Sequence, residues 1–384
     1  MEAYLDNAAT TRCCGRAQKI VQKTMDLAYG NPSSLHTKGV EAEKYVKDAA
    51  SAIAKTLKVS DREIYFTSGG TESNNFALIG AAMANRRAGN RLVTTQVEHA
   101  SVLNTMAYLE GQGFEVLYLP VDRDGVVCLD ALRDAVDAQT ILVSIMQVNN
   151  EIGSIEPVAQ AASIVHEKNP KALFHTDAVQ AYGKMQIRPK KEGIDLLSAS
   201  GHKIHGPKGV GFLYVKEKTK LNPIIFGGGQ QHGLRSGTQN VPGIAGLGEA
   251  ALEAYENLEA KTARLYALKE YFCREAGKLD GVFINGKTGR GGAAHIVSLS
   301  FRGIRSEVLL HALEADGIYV SAGSACSSNH RRVSPTLRAI RMEEDLRESV
   351  LRFSFSTDTK QDEITYTIEK LAEILPGLRR YARR

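Results

Sequence analysis

Short apolar runs alternate with helical stretches from about residue 60 to residue 215, and nothing else in the chain constrains its fold as much. "EIYFT" (63–67) leads into a helix from Glu72, "RLVTT" into a helix from Ala100, and "FEVLYL" into "LDALRDAV". "TILVSIM", "KALFHT", "IDLLSAS" and "VGFLYV" follow as near-continuous apolar strands, the pattern of strands covered on both faces. Strand–helix alternation over that length predicts an α/β fold with a mostly parallel sheet and helices on both sides. A helical stretch over 243–276, free of Pro and Gly from Glu249 to Ala276, reads as one long connector. After it come "HIVSLSF", a helix from Ser306, "VLRFSFS" and a final helix from Asp362, an α+β pattern that predicts a second, smaller domain.

The 384 residues suit two fused domains, and a net charge of +5 is too weak to argue for nucleic acid. Five cysteines with no CxxC pair speak against a disulfide framework and for a reducing cytoplasm. The adjacent Cys13–Cys14 pair is poorly placed to clamp a metal, so no metal site is expected. The N-terminus lacks an apolar h-region and no apolar run has the length of a membrane span. "GVFINGKT" (281–288) matches a phosphate-loop pattern, but a helix precedes it and Val282–Ile284 read as strand, so the match is accidental.

In open α/β sheets, ligands bind beyond the carboxyl ends of the strands. Three strand ends carry chemistry here. "SGGTESNN" (68–75) offers glycines and Thr71 at a helix start, an anion cup suited to phosphate. "DAVQ" places Asp177 and Gln180 at a second end, and "GHKIHGPKG" places His202 and Lys203 at a third. Each taken alone reads as a turn, a cap or a surface charge. Together they match what pyridoxal phosphate requires: a phosphate cup, a lysine to bond its aldehyde, and an acid facing the ring nitrogen. "SAGSACSSN" (321–329) sets Cys326 among small polar residues, too polar for core. A Gly/Ser/Ala loop suits a thiol that must visit two places.

"YLDNAATT", "GNPSSLH", "TSGGTESNN", "VEHASVLN", "VNNEIGSIEP", "HTDAVQAYGK", "SGHKIHGPKG", "GGGQQHGLRSGTQNV" and "SAGSACSS" run in order from residue 4 to 328. In this series the chain resembles the cysteine desulfurase branch of the class V aminotransferases. The resemblance implies pyridoxal-phosphate fold type I: a large domain (16–257) with a mostly parallel seven-stranded sheet, and a small domain (1–15 and 258–384) carrying a mobile cysteine loop at about 321–334. It implies that Lys203 holds the cofactor covalently, that Asp177 faces the ring nitrogen and Gln180 the phenolic oxygen, and that His99 stacks on the ring. Gly70, Thr71, Ser200 and His202 would hold the phosphate, with Thr238 reaching the phosphate of a second subunit in a homodimer. Arg352, with Asn31 and Asn150, would bind the substrate's carboxylate, and Asn150 would also contact the cofactor. Cys326 would take sulfur from L-cysteine as a persulfide, leaving L-alanine, and pass it to an acceptor protein such as an iron–sulfur scaffold or a tRNA-thiolating enzyme. His330, Arg331 and Arg332 lie just downstream, and they read equally as positive charge that favours a thiolate or as an ordinary solvated basic loop.

Two alternatives stand beside this reading: a selenocysteine lyase on the same scaffold, and a non-catalytic cofactor-binding scaffold, which the presence of lysine, aspartate and cysteine argues against. Gln231 and Gln239 stand where the family commonly has an acidic residue, and Arg341 where it often has glycine.

Overall fold

The structure is a computed structural model, described for residues 1–322 and 334–382. Its centre is a seven-stranded sheet in the order Ile64–Thr67, Gly211–Val215, Leu196–Ser200, Leu173–Asp177, Thr140–Ser144, Arg91–Thr95, Glu115–Leu119. Every strand runs parallel except Gly211–Val215, which is antiparallel to both neighbours. The apolar runs account for this burial on both sides. Successive side chains of a strand face opposite ways, so Leu142 and Val143, Leu92 and Val93, and Leu196 and Leu197 enter two different cores. One core lies under the helices Gly15–Leu27, Thr37–Leu57 and Val241–Tyr255. The other lies under Gly70–Asn85 and Ala100–Gly111.

A second sheet is antiparallel, in the order Ser321–Ala322, Val350–Ser354, Ile296–Phe301, Val282–Asn285. Helices Leu258–Ala276 and Gln361–Ala382 cover it around Phe272, Phe301, Phe353 and Phe355. The start of the chain joins this layer: Ala3–Tyr4 pairs with Ile318–Tyr319, and Asp6 bridges Ser354. Arg352 stands on a strand with a neighbour on each side, not on an edge.

Two expectations from the sequence are corrected. The stretch 243–276 is two helices, Val241–Tyr255 and Leu258–Ala276, broken at Asn257, whose φ of 53° lies in the left-handed region that Asn tolerates. A scan for Pro and Gly could not find that break. The helix expected from Glu72 begins at Gly70, because the two glycines form its entry.

His175 braces the sheet interior. It is fully buried, with Nδ1 2.8 Å from Ser144 Oγ and Nε2 3.0 Å from Ser198 Oγ, tying three adjacent strands. Burial pulls its pKa down to about 3, so the native imidazole stays neutral while an unfolded one protonates below about pH 6.5. Linkage then erodes native stability as pH falls from about 6.5 toward 3, by about 1.4 kcal/mol per unit. His175→Asn removes that term, so the stability gap between wild type and variant should narrow by about 2 kcal/mol between pH 7.5 and pH 5. Chemical unfolding at the two pH values measures it, and a gap independent of pH would refute the assignment.

Candidate active site

The three strand ends singled out in the sequence meet at the carboxyl edge of the parallel sheet. The first supplies the helix start at Gly69–Gly70. Gly69 has a φ of 153°, and a Cβ on Gly70 would stand 2.6 Å from Val179 Cγ2, so the close approach to the second strand end requires glycine. Ser200, buried, lies across this turn from Gly70, and Thr71 is exposed at the opening. An open cleft runs past the same turn, lined by Thr71, Asn75, His99, Ser101 and Asn104.

Asp177 ends the second strand and is buried. Asn74 Nδ2 donates to its Oδ2 at 2.7 Å, and the Val179 N–H donates to its Oδ1 at 2.9 Å. Asn74 Nδ2 also reaches Ser101 Oγ at 2.8 Å, and that hydroxyl lies 2.8 Å from His99 Nδ1. Asp177 and His99 are therefore the ends of one hydrogen-bonded chain. His99 is at once a helix cap, because its Nδ1 accepts the Ser101 N–H at 3.1 Å. The sequence marked Asp177 and His99; Asn74 and Ser101, which connect them, it did not distinguish from other helix residues.

Lys203 closes a short 3₁₀ turn, Gly201–Lys203, after the third strand. Its Nζ donates to the carbonyl oxygens of Ala8 at 2.6 Å and Ala9 at 2.7 Å. Gln180 Nε2 donates to the same Ala8 oxygen at 2.9 Å, which sets the lysine and the glutamine side by side. His202 Nδ1 lies 3.2 Å from Thr10 Oγ1. Burial, then the charges of Lys203, Lys208 and Lys184, bring His202 down to about 4, so it is neutral near pH 7. Lys184 donates to the Lys203 carbonyl at 2.8 Å, and burial with the adjacent Lys203 charge lowers it to about 7.

Arg352 arrives from the second sheet. It donates to Asn150 O at 2.7 Å, Asp6 Oδ1 at 3.1 Å and Ser321 Oγ at 3.2 Å, and its buried Nε has no hydrogen-bond partner among the described residues. Asn31 is exposed and caps its own turn by accepting the Ser33 N–H at 2.9 Å; no described contact joins it to Arg352. Thr238 is exposed on the loop after Arg235, whose fork grips Glu72 of the Gly70 helix at 2.8 and 3.2 Å. Cys326, with His330, Arg331 and Arg332, lies outside the described residues. The strand Ser321–Ala322 beside Arg352 leads toward it, and Ser334, donating to Glu151 Oε2 at 2.6 Å, receives the chain afterwards.

The sequence model of the class V aminotransferases matches residues 3–366, and the chain belongs to that family. Curated relatives named cysteine desulfurase match it over nearly its whole length. It is 41% identical to the "Cysteine desulfurase IscS" of Dictyoglomus turgidum, over 98% of this chain and 95% of that protein. A solved NifS-like protein superimposes with a TM-score of 0.93 at 39% identity, covering 98% of this chain and all of the other. The structure titled "SspA in complex with cysteine" gives 0.82 at 32% identity, over 93% and 100% of the two chains. The chain is an enzyme of the cysteine desulfurase type. No helix among the described residues is long and apolar enough to cross a membrane.

Glu98, beside His99, is a buried acid. Thr95 Oγ1 donates to its Oε1 at 2.9 Å and the Met146 N–H at 2.8 Å. Burial, with Asp177 and Glu156 adding negative charge nearby, holds it well above the usual carboxylate range. The native state keeps this proton above about pH 4.5, where an unfolded chain loses it, so stability falls as pH rises from there. Glu98→Gln lacks that loss. Its thermal midpoint relative to wild type should rise between pH 5.5 and pH 8, and a constant difference would refute a protonated Glu98.

Proposed function

We propose that the protein desulfurates L-cysteine with pyridoxal phosphate bound at Lys203 and passes the sulfur through Cys326 to an acceptor protein. One observation carries the reading: Lys203 shares the Ala8 carbonyl with Gln180, which follows the buried Asp177 by three residues, next to a glycine cradle.

The residues fit this cofactor. The Gly70 turn with Thr71, Ser200 and neutral His202 suits a phosphate, since backbone N–H groups at a helix start and nearby hydroxyls donate to anions. Asp177, held by two donors, would face the ring nitrogen, Gln180 the phenolic oxygen, and His99 the ring face. When bound, the cofactor draws electrons from the substrate's Cα. Arg352 would take the substrate's carboxylate, because its fork is planar and its Nε is unpartnered among the described residues. Asn150, bonded to Arg352 through its carbonyl, would position that fork; the part given to Asn31 rests on the family resemblance.

Lys203, or His99, would carry the proton at the substrate's Cα. The Cys326 thiolate would attack the substrate's sulfur: an S–S bond forms, the C–S bond breaks, and its electron pair stays with the carbon skeleton, which is protonated to alanine. Cys326 lies outside the described residues, in the stretch that follows the strand Ser321–Ala322 beside Arg352. A homodimer would bring Thr238 to the neighbouring phosphate, and the exposed Tyr29, Leu35 and Phe226 supply apolar surface for it. A reducing cytoplasm suits a chain whose chemistry needs a free thiol.

Lys203→Ala should not develop the visible absorbance of the lysine-bound cofactor after saturation with pyridoxal phosphate. An absorbance equal to wild type would remove Lys203 from its role. Cys326→Ser should keep that absorbance and its response to added cysteine while sulfide release falls by at least about 100-fold, as expected when a nucleophile is lost. Wild-type release from this variant would sink the sulfur-transfer reading.

A further inference from the structure

His295 stands just before the strand Ile296–Phe301 of the second sheet, with its carbonyl bonded to the Phe355 N–H at 2.9 Å. Its side chain turns toward the first sheet, is 2% exposed, and brings Nε2 to 3.2 Å from Gln180 Oε1. Nothing in the motifs marked it. Gln180 is the residue read above as facing the cofactor's phenolic oxygen, and the inference rests on that reading.

The polarity of the contact is determined by what surrounds it. The Ala8 carbonyl can only accept, so the amide edge facing it must be Nε2, and Oε1 must face His295. A ring nitrogen pointing at a carbonyl oxygen must carry the proton, which selects the Nε2–H tautomer. Four cations face the imidazole from the elements around it: Lys184 and Lys203 from the first sheet's loops, Lys269 from the helix Leu258–Ala276, and Arg352 from the adjacent strand. With burial, they drive its pKa far below the ordinary histidine value, so His295 is a neutral donor across the working pH range.

We propose that His295 is a positioning residue: by donating to Gln180 Oε1 it locks the amide so that its N–H₂ group points to the place of the cofactor's phenolic oxygen. The Ala8 carbonyl cannot serve alone. It holds only the Nε2 edge of the amide and leaves Oε1 without a donor of its own. His295 supplies the missing restraint from the opposite edge. It also makes the orientation of a residue on the large sheet depend on the second sheet. A hydrogen bond to the phenolic oxygen withdraws electron density from it. Lys203 Nζ, once joined to the cofactor's aldehyde, would then hold its proton less tightly. Losing the restraint should therefore raise the pH at which that nitrogen deprotonates.

The test is a pH titration, without cysteine, of the visible absorbance of wild type, His295→Leu, His295→Gln, Gln180→Leu and the Leu/Leu double variant, each saturated with pyridoxal phosphate. The midpoint should rise by about one pH unit in His295→Leu, the size one neutral hydrogen bond can produce. His295→Gln, whose amide N–H can replace the imidazole donor, should return it toward wild type. In the Gln180→Leu background, His295→Leu should add no further shift, since the two act as one unit. A purely structural His295 would shift neither midpoint nor coupling. An unmoved midpoint in His295→Leu, or an equal shift with Gln180 already removed, overturns the proposal while leaving the cofactor reading intact. If His295→Leu does not fold, a His295→Gln midpoint shifted as far as that of Gln180→Leu overturns it. A colourless wild type overturns the cofactor reading, and the proposal with it.

Discussion

One backbone oxygen organises the site. The Ala8 carbonyl accepts from Lys203 Nζ and Gln180 Nε2, and the segment carrying it is fastened on both sides. Toward the second sheet, Asn7 Nδ2 donates to Ser354 O at 3.0 Å, Ser354 Oγ accepts the Ala8 N–H at 2.8 Å, and Asp6 pairs with Arg352. Toward the first, the Thr11 N–H and Oγ1 both donate to the His202 carbonyl at 2.9 Å. The strap Asp6–Thr11 thus sets the distance between the sheet that supplies Lys203 and the one that supplies Arg352. Its own side chains do little chemistry. Its rigidity matters because groups from two sheets can act together only if the connection between them does not drift.

Charge is arranged with the same economy. Lys203 and Arg352 bring cationic groups to the site, which suits a phosphate and a carboxylate, while burial and nearby basic side chains keep His202 and His295 neutral. Neutral histidines can donate or accept as the tautomer requires without adding repulsion. Two acids near the site, Glu98 and Glu151, are pushed up by burial and serve as hydrogen-bonded braces, Glu98 accepting from Thr95 Oγ1 and the Met146 N–H and Glu151 from Ser334 Oγ.

Gln231 ties a loop to the edge of the large sheet. It stands at a φ of 49°, and its amide accepts from Phe66 N at 2.6 Å and donates to Phe66 O at 2.8 Å. Both groups lie on the outward side of Ile64–Thr67, an edge strand of the large sheet. A glutamine can serve a donor and an acceptor at once; an ionised glutamate could not. The amide caps an edge that would otherwise be open to pairing. The structure offers no comparable account of Gln239.

The sequence by itself determined the layered α/β plan, because buried parallel strands and amphipathic helices leave periods that differ, and it determined which strand ends carry Thr71, Asp177, Gln180 and Lys203. These signals are local, set by neighbours a few residues away. The break at Asn257 escaped because a left-handed Asn leaves no mark that a helical Asn lacks. Tertiary structure alone decided the rest. Ala8 meets Lys203 and Gln180 across 195 and 172 residues of chain, His295 meets Gln180 across 115, and Asn74 joins Asp177 to Ser101. Such contacts depend on how two sheets and a strap are brought together. No periodicity along the chain records that, because hydrogen-bond geometry is satisfied in space and not in sequence.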